Sequence, residues 1–214
     1  LALPEKYRYI VIEGPIGAGK TSLARLLAEH VNGELLLEAP EENPFLPRFY
    51  EDPARHALAT QLFFLFQRMR QLSDVQQTDL FVGVTVSDFL LDKDALFARL
   101  TLADDELLLY QQVYDRLMPQ APVPDLVIYL QASHHLLVDR VRSRDIVYER
   151  NMDQDYLSRL AEEYRRLFYQ FDAAPLLIVN SDNLNFVDEE ADFDLLLQRI
   201  SNLQGPRAYF SKGL

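Results

Sequence analysis

The residues Gly14-Pro15-Ile16-Gly17-Ala18-Gly19-Lys20-Thr21 match the pattern G-x-x-x-x-G-K-[ST] at every fixed position. The chemistry of that spacing is phosphate binding. Glycines let successive backbone N–H groups curl around phosphate oxygens, at a helix N-terminus whose dipole favours anions. Lys20 is placed to reach the β- and γ-phosphates, and the Thr21 hydroxyl to ligate Mg²⁺. The apolar run Tyr9-Ile10-Val11-Ile12 precedes the loop, and a helical pattern beginning near Ser22 follows it. Strand, glycine loop and helix form the setting the motif requires. The pattern therefore predicts binding of a nucleoside triphosphate. The competing reading is a glycine turn that holds a phosphate without turnover.

Further polar residues stand where apolar segments end. Glu38 closes the run Leu35-Leu36-Leu37, beside the loop in this kind of architecture. A carboxylate there can accept a proton from an attacking hydroxyl, or it can be a solvated acid holding a basic partner. Asp88, in Val84-Thr85-Val86-Ser87-Asp88-Phe89, occupies the place of a carboxylate that holds Mg²⁺ through water, or it caps a turn. Gln61 and Arg68 lie seven residues apart, nearly in line on one helix face. An amide and a guanidinium so placed can read the edge of a nucleobase; a solvated helix face reads the same way. Arg140, Arg142 and Arg144 end a predicted helix before a polar segment. They form either a lid that closes over transferring phosphates or a complement to the helix dipole.

The elements that must position these groups alternate. Apolar segments at 7–12, 34–37, 80–86, 126–130 and 176–179 read as strands. The segments 20–31, 54–76, 94–102, 104–118, 134–142, 155–171 and 192–203 read as helices, with Asp94 in a helix first turn. Strands that are apolar throughout and separated by helices imply a parallel sheet covered on both faces. The expected fold is α/β, a P-loop NTPase-type parallel five-stranded sheet flanked by helices, with an arginine-rich lid at about 140–153, in one domain over 1–214. The segment from Gly205 to Leu214 carries no reading.

Composition narrows the class. The net charge of −12 argues against a nucleic-acid backbone as partner, so phosphates must be met by local basic clusters. No segment has the length and apolarity of a membrane span, and residues 1–6 lack the pattern of an export signal. The chain has no cysteine, which excludes disulfides, thiolate metal sites and cysteine nucleophiles and agrees with a cytoplasmic protein. No Asp-x-x-Gly switch or Asn-Lys-x-Asp guanine motif is present, which disfavours a regulatory GTPase.

Together these residues resemble the deoxynucleoside kinase family, in particular its bacterial deoxyadenosine and deoxyguanosine kinases. The likeness runs from about Tyr9 to about Phe186. It is carried by Ile12-Glu13-Gly14 before the loop and by Glu38 with Asn43-Pro44-Phe45-Leu46. It is also carried by Phe49-Tyr50-Glu51-Asp52-Pro53, and by Arg142-Ser143-Arg144 with Glu149 and Tyr156-Leu157. The resemblance implies phosphorylation of a deoxyribonucleoside 5′-hydroxyl by Mg·ATP, in a homodimer, with a purine as the better guess for the base.

The resemblance also implies roles. Glu38 acts as general base, with Lys20, Arg142 and Arg144 at the transferring phosphates. Gly14, Pro15, Ile16, Gly17, Ala18, Gly19, Lys20, Thr21, Ser22, Arg140 and Phe186 hold ATP. Tyr50 and Glu149 hold the sugar, Gln61 and Arg68 read the base with Asp94 nearby, and Thr21 with Asp88 holds Mg²⁺. One departure stands out. The family usually has an acidic-Arg-Ser triplet after its third strand, and this chain has Ser87-Asp88-Phe89. Without a gap the acidic position falls on Ser87 and the arginine on Asp88; the preferred register, with a one-residue gap, gives Asp88 the acidic role and puts Phe89 at the arginine. Two alternatives follow: a nucleoside monophosphate kinase of thymidylate kinase type, which needs basic residues for an acceptor phosphate, or an impaired nucleotide-binding scaffold.

Overall fold

The computed structural model describes residues 3–77, 83–143, 146 and 154–213. Among them the strands are β1 (Tyr9–Glu13), β2 (Glu34–Leu36), β3 (Thr85–Ser87), β4 (Leu126–Gln131), β5 (Leu176–Asn180) and β6 (Arg207–Ser211). They form one sheet in the order β2-β3-β1-β4-β5-β6, parallel at every pairing. The helices are α1 (Lys20–His30), α2 (Leu46–Glu51), α3 (Pro53–Gln77), α4 (Lys93–Thr101), α5 (Asp104–Leu117), α6 (His134–Ser143), α7 (Gln154–Gln170) and α8 (Glu190–Ser201). Residues 80–82 of the expected third strand, and Arg144, Glu149 and most of the expected lid, lie outside the described residues.

The five expected strands become six. The added strand, β6, lies in the segment from Gly205 onward that carries no reading, and it pairs with β5 from Leu176↔Arg207 to Asn180↔Ser211. It escaped notice because Phe210 is its one buried residue. An edge strand needs only one apolar contact with the core, so it carries almost no periodic signal. Helix α2 was also missed, since six residues do not establish a helical period. Helix α4 begins one residue before the expected 94, at Lys93.

The period of two in the central strands divides the core. Ile10, Ile12, Ile128, Leu130 and Val179 face α1 and α8, where Leu23, Leu27, Leu196 and Ile200 cover them. Tyr9, Val11, Val127, Tyr129 and Leu176 face the other layer, which holds Leu65 of α3, Leu96 of α4, Tyr110 of α5 and Tyr164 and Phe168 of α7. The alternation carries Glu13, the last residue of β1, onto this second face, buried to 0 % exposure. The carboxyl ends of β1, β2 and β3 bring Glu13, Glu38 and Asp88 to one edge of the sheet, where ligands of open parallel sheets bind.

Candidate active site

The glycine loop is built by close approach. A side chain at Gly14 would put its Cβ 2.5 Å from the Leu130 carbonyl oxygen. Gly17 has φ +87°, in the left-handed region, and a Cβ there would lie 2.8 Å from the Leu137 carbonyl oxygen. Helix α1 starts at Lys20 and aims its first N–H groups out of the loop. Lys20 Nζ donates to the Gly14 carbonyl at 2.8 Å and the Pro15 carbonyl at 3.2 Å. Burial pulls the Lys20 pKa down, against the raising influence of the Glu13, Glu38 and Asp88 carboxylates.

Two cavities meet at this loop. One is bounded by Gly17–Ser22, Arg140 and the segment 184–188, which includes Phe186. Arg140 Nη1 donates to the Ala18 carbonyl at 3.3 Å, so the arginine at the end of α6 touches the loop directly. Arg142, on the same helix, is exposed. The other cavity lies between the loop and α3. Lys20, Thr21, Glu38, Tyr50, Gln61, Arg68 and Asp88, all read from the sequence, border it together. Gln61 and Arg68 are each 4 % exposed, so the solvated-face reading of α3 fails: their stripe lines a cavity.

Charged groups in the second cavity are paired with one another. Arg68 Nε donates to Glu38 Oε1 at 2.9 Å, and its terminal nitrogens pair with Glu38 and Asp94. The guanidinium also lies over the Phe64 ring, 4.8 Å from its centroid. Lys93 Nζ donates to Glu38 Oε2 at 3.0 Å and stands 3.6 Å from Glu13 Oε2. Burial alone would raise the Glu38 pKa; the Arg68 and Lys93 charges outweigh it and hold the carboxyl well below the usual carboxylate range. Burial likewise works against charge on Lys93, but Glu13 and Glu38 beside it raise its pKa.

Asp88 joins the two halves of the site. It accepts a hydrogen bond from the Thr21 hydroxyl and another, at 2.8 Å, from the Glu38 backbone N–H. A hydroxyl and a carboxylate side by side are oxygen donors that suit a hard cation such as Mg²⁺. Among the described residues no group of three or more His, Asp or Glu side chains could hold a metal alone. Ser87 is absorbed in a local turn, its hydroxyl accepting from the Phe89 N–H at 3.2 Å, and Phe89 is fully buried in the core. No guanidinium therefore stands at position 89.

Sequence reasoning missed Glu13 and Lys93. Glu13 accepts from the Gly14 N–H at 2.9 Å, the Leu90 N–H at 2.7 Å and the Tyr164 hydroxyl at 3.0 Å. Its place as the charged end of an apolar strand was visible in Ile12-Glu13-Gly14. Lys93 gave a weaker signal: a lysine beside two aspartates reads as a surface residue, yet it is 2 % exposed.

Residues 10–204 match the family model described as deoxynucleoside kinase. The chain is similar to the deoxyguanosine kinase of Bacillus subtilis, 32% identical over 200 residues that cover 91% of this chain and 97% of that protein. It is also similar to the deoxyadenosine kinase of Lactobacillus acidophilus, 32% identical over 193 residues, covering 83% and 87%. Among solved structures, the deoxyadenosine kinase from M. mycoides with dCMP and dCDP bound has the same fold, with a TM-score of 0.79 at 22% identity over 91% of this chain and all of that one.

Asp94 gives the site a pH signature. Burial pushes its carboxyl from an ordinary 3.8 up to about 7, against the lowering pull of Arg68 and Lys93. The folded protein thus holds this proton more tightly than the unfolded chain. The stability Asp94 contributes is complete below pH 3.8 and is lost as pH rises through about 7. Asp94→Asn, which imitates the protonated side chain, should remove that part of the decline in unfolding free energy, read by urea titration from pH 4 to pH 8. Identical pH slopes in the two proteins would contradict this.

Proposed function

The chain belongs to the deoxynucleoside kinase family, and from that premise we propose how its site phosphorylates the 5′-hydroxyl of a purine deoxyribonucleoside. The observation that carries the mechanism is Glu38, a carboxylate held between Arg68 and Lys93 in the cavity that also reaches Lys20 and Thr21. The nucleoside lies in this cavity with its base against Gln61, Arg68 and Phe64 and its sugar toward Tyr50, and the resemblance assigns Glu149 to the same sugar. ATP occupies the neighbouring cavity, with its phosphates on the loop and its adenine toward Phe186. Arg140 meets the phosphates beside the loop, and the resemblance assigns Arg142 and Arg144 to the same phosphates.

Glu38 takes the 5′-hydroxyl proton as that oxygen bonds to the γ-phosphorus. The bond from the γ-phosphorus to the bridging oxygen breaks, and ADP leaves with its electron pair. The product is the nucleoside 5′-monophosphate. Glu38 is a weak base when flanked by two cations, and that suits the step: in a loose transition state the attacking hydroxyl becomes acidic only late. A Mg²⁺ ion carried with ATP would be held through Thr21 and Asp88 and would neutralise charge between the β- and γ-phosphates.

The names of the relatives, deoxyguanosine and deoxyadenosine kinase, support a purine base. An acceptor that already carries a phosphate fits less well. Arg48, Arg55 and Arg70 are exposed and do not border the cavity, and Arg68 is already paired with two carboxylates. A cysteine-free, acidic enzyme of this kind fits the cytoplasm. A homodimer through α3 and α5 is supported by Phe66, Leu108 and Leu109, which leave 53%, 68% and 51% of their surface exposed on two helices that pack together.

Glu38→Gln keeps the size of the side chain and removes the proton acceptor. It should lower kcat roughly 10²–10⁴-fold with ATP still bound; turnover near that of the parent would take the base role from Glu38. For the dimer, light scattering should give twice the chain mass, and Leu108→Glu with Leu109→Glu should halve it. A parent that runs at the mass of one chain contradicts the dimer.

A further inference from the structure

Ser87-Asp88-Phe89 carries no guanidinium, so positive charge at the acceptor has to come from elsewhere in the cavity. Three cationic side chains border the acceptor cavity among the described residues: Lys20, Arg68 and Lys93. Lys20 lies on the glycine loop, where the phosphates of ATP belong. Arg68 is drawn to the far side of Glu38 by Asp94 and the Phe64 ring. Lys93 stands on the opposite carboxylate oxygen, Oε2, and is held from behind by Glu13. Glu13 is itself fixed by two backbone N–H groups and the Tyr164 hydroxyl, so it forms a rigid anchor.

We propose that Lys93 is a catalytic residue, supplying positive charge at the attacking 5′-oxygen and the transferring phosphoryl group. The inference rests on the kinase reading given above. A lysine taken from water at this depth is costly unless its charge is paired. In the resting site it faces two carboxylates, Glu13 and Glu38. When Glu38 takes the 5′-hydroxyl proton, Glu38 becomes neutral, and the charge it gives up passes through the attacking oxygen to the phosphoryl oxygens. Lys93 keeps Glu13 as its anchor and turns its remaining donors to those oxygens. Its charge is therefore matched before and after transfer, without movement of the backbone. A donor placed in advance where charge develops lowers the barrier because nothing has to reorganise at the moment of reaction.

Lys93→Met and Lys93→Arg are measured beside the parent with Mg·ATP and deoxyguanosine or deoxyadenosine. Lys93→Met should lower kcat by about 10²–10³-fold, the usual worth of one such donor, with KM for both substrates within about threefold. Lys93→Arg should stay within about tenfold of the parent. A Lys93→Met enzyme with the parent's kcat, or with a raised KM alone, overturns the proposal. If Lys93→Met does not fold, the absence of cysteine from the chain offers a second route. Lys93→Cys is alkylated in denaturant with 2-bromoethylamine or with bromoethane and then refolded. A fast amine form and a folded but slow ethyl form support the proposal. Equal rates overturn it, and so does an ethyl form that cannot fold, because that assigns Lys93 to stability. A parent that phosphorylates no deoxyribonucleoside overturns the kinase reading itself, which keeps the two failures distinct.

Discussion

Everything at this site depends on keeping Glu38 charged where water is scarce. Bringing a carboxylate to such depth costs several kcal/mol unless other groups replace its hydration. Here Arg68 and Lys93 do so, one on each carboxylate oxygen. Those cations need partners of their own, which Asp94 and Glu13 provide. The network draws on β1 for Glu13, on the segment after β2 for Glu38, on α3 for Arg68 and on the start of α4 for Lys93 and Asp94. The parallel sheet brings all four segments to one edge. An apolar packing of the same volume would hold the chain together at least as well. The network is better understood as preorganisation: a carboxylate whose charge and position are fixed with no ligand in the cavity.

Such a network has an internal cost that points to function. Asp94 has one buried carboxylate oxygen without a hydrogen-bond partner among the described residues, and burial pushes its carboxyl up to about 7. Real folds leave such imperfections mainly where a ligand or a reaction requires them. Arg68 is shared between Glu38 and Asp94, which ties these two carboxylates together across the cavity. A nucleobase that engages Arg68 therefore acts on the same side chain that positions Glu38. On the roles proposed for Arg68 and Glu38, recognition of the base and readiness for transfer are coupled through one guanidinium.

Much of this was legible in the sequence, and the omissions have physical reasons. The glycine loop is legible because its geometry requires glycine at fixed spacings, as the 2.5 Å approach of a Gly14 Cβ to the Leu130 carbonyl makes plain. Glu38 and Asp88 were legible because they end apolar strands, and parallel sheets bind ligands there. Gln61 and Arg68 were ambiguous from periodicity alone, since a polar stripe facing a cavity has the same spacing as one facing solvent. Lys93 was invisible for a related reason: only the three-dimensional placement of Glu13 and Glu38 makes its burial possible. Strand β6 was hidden because one buried phenylalanine, Phe210, gives no period.

The most direct test of this account is turnover with Mg·ATP on a panel of acceptors: deoxyadenosine, deoxyguanosine, deoxycytidine and thymidine, with their 5′-monophosphates in parallel. The account predicts nucleoside monophosphate from one or both purine deoxyribonucleosides and no diphosphate from any monophosphate. Diphosphate formed from a monophosphate, or ATP binding without transfer to any nucleoside, would contradict it.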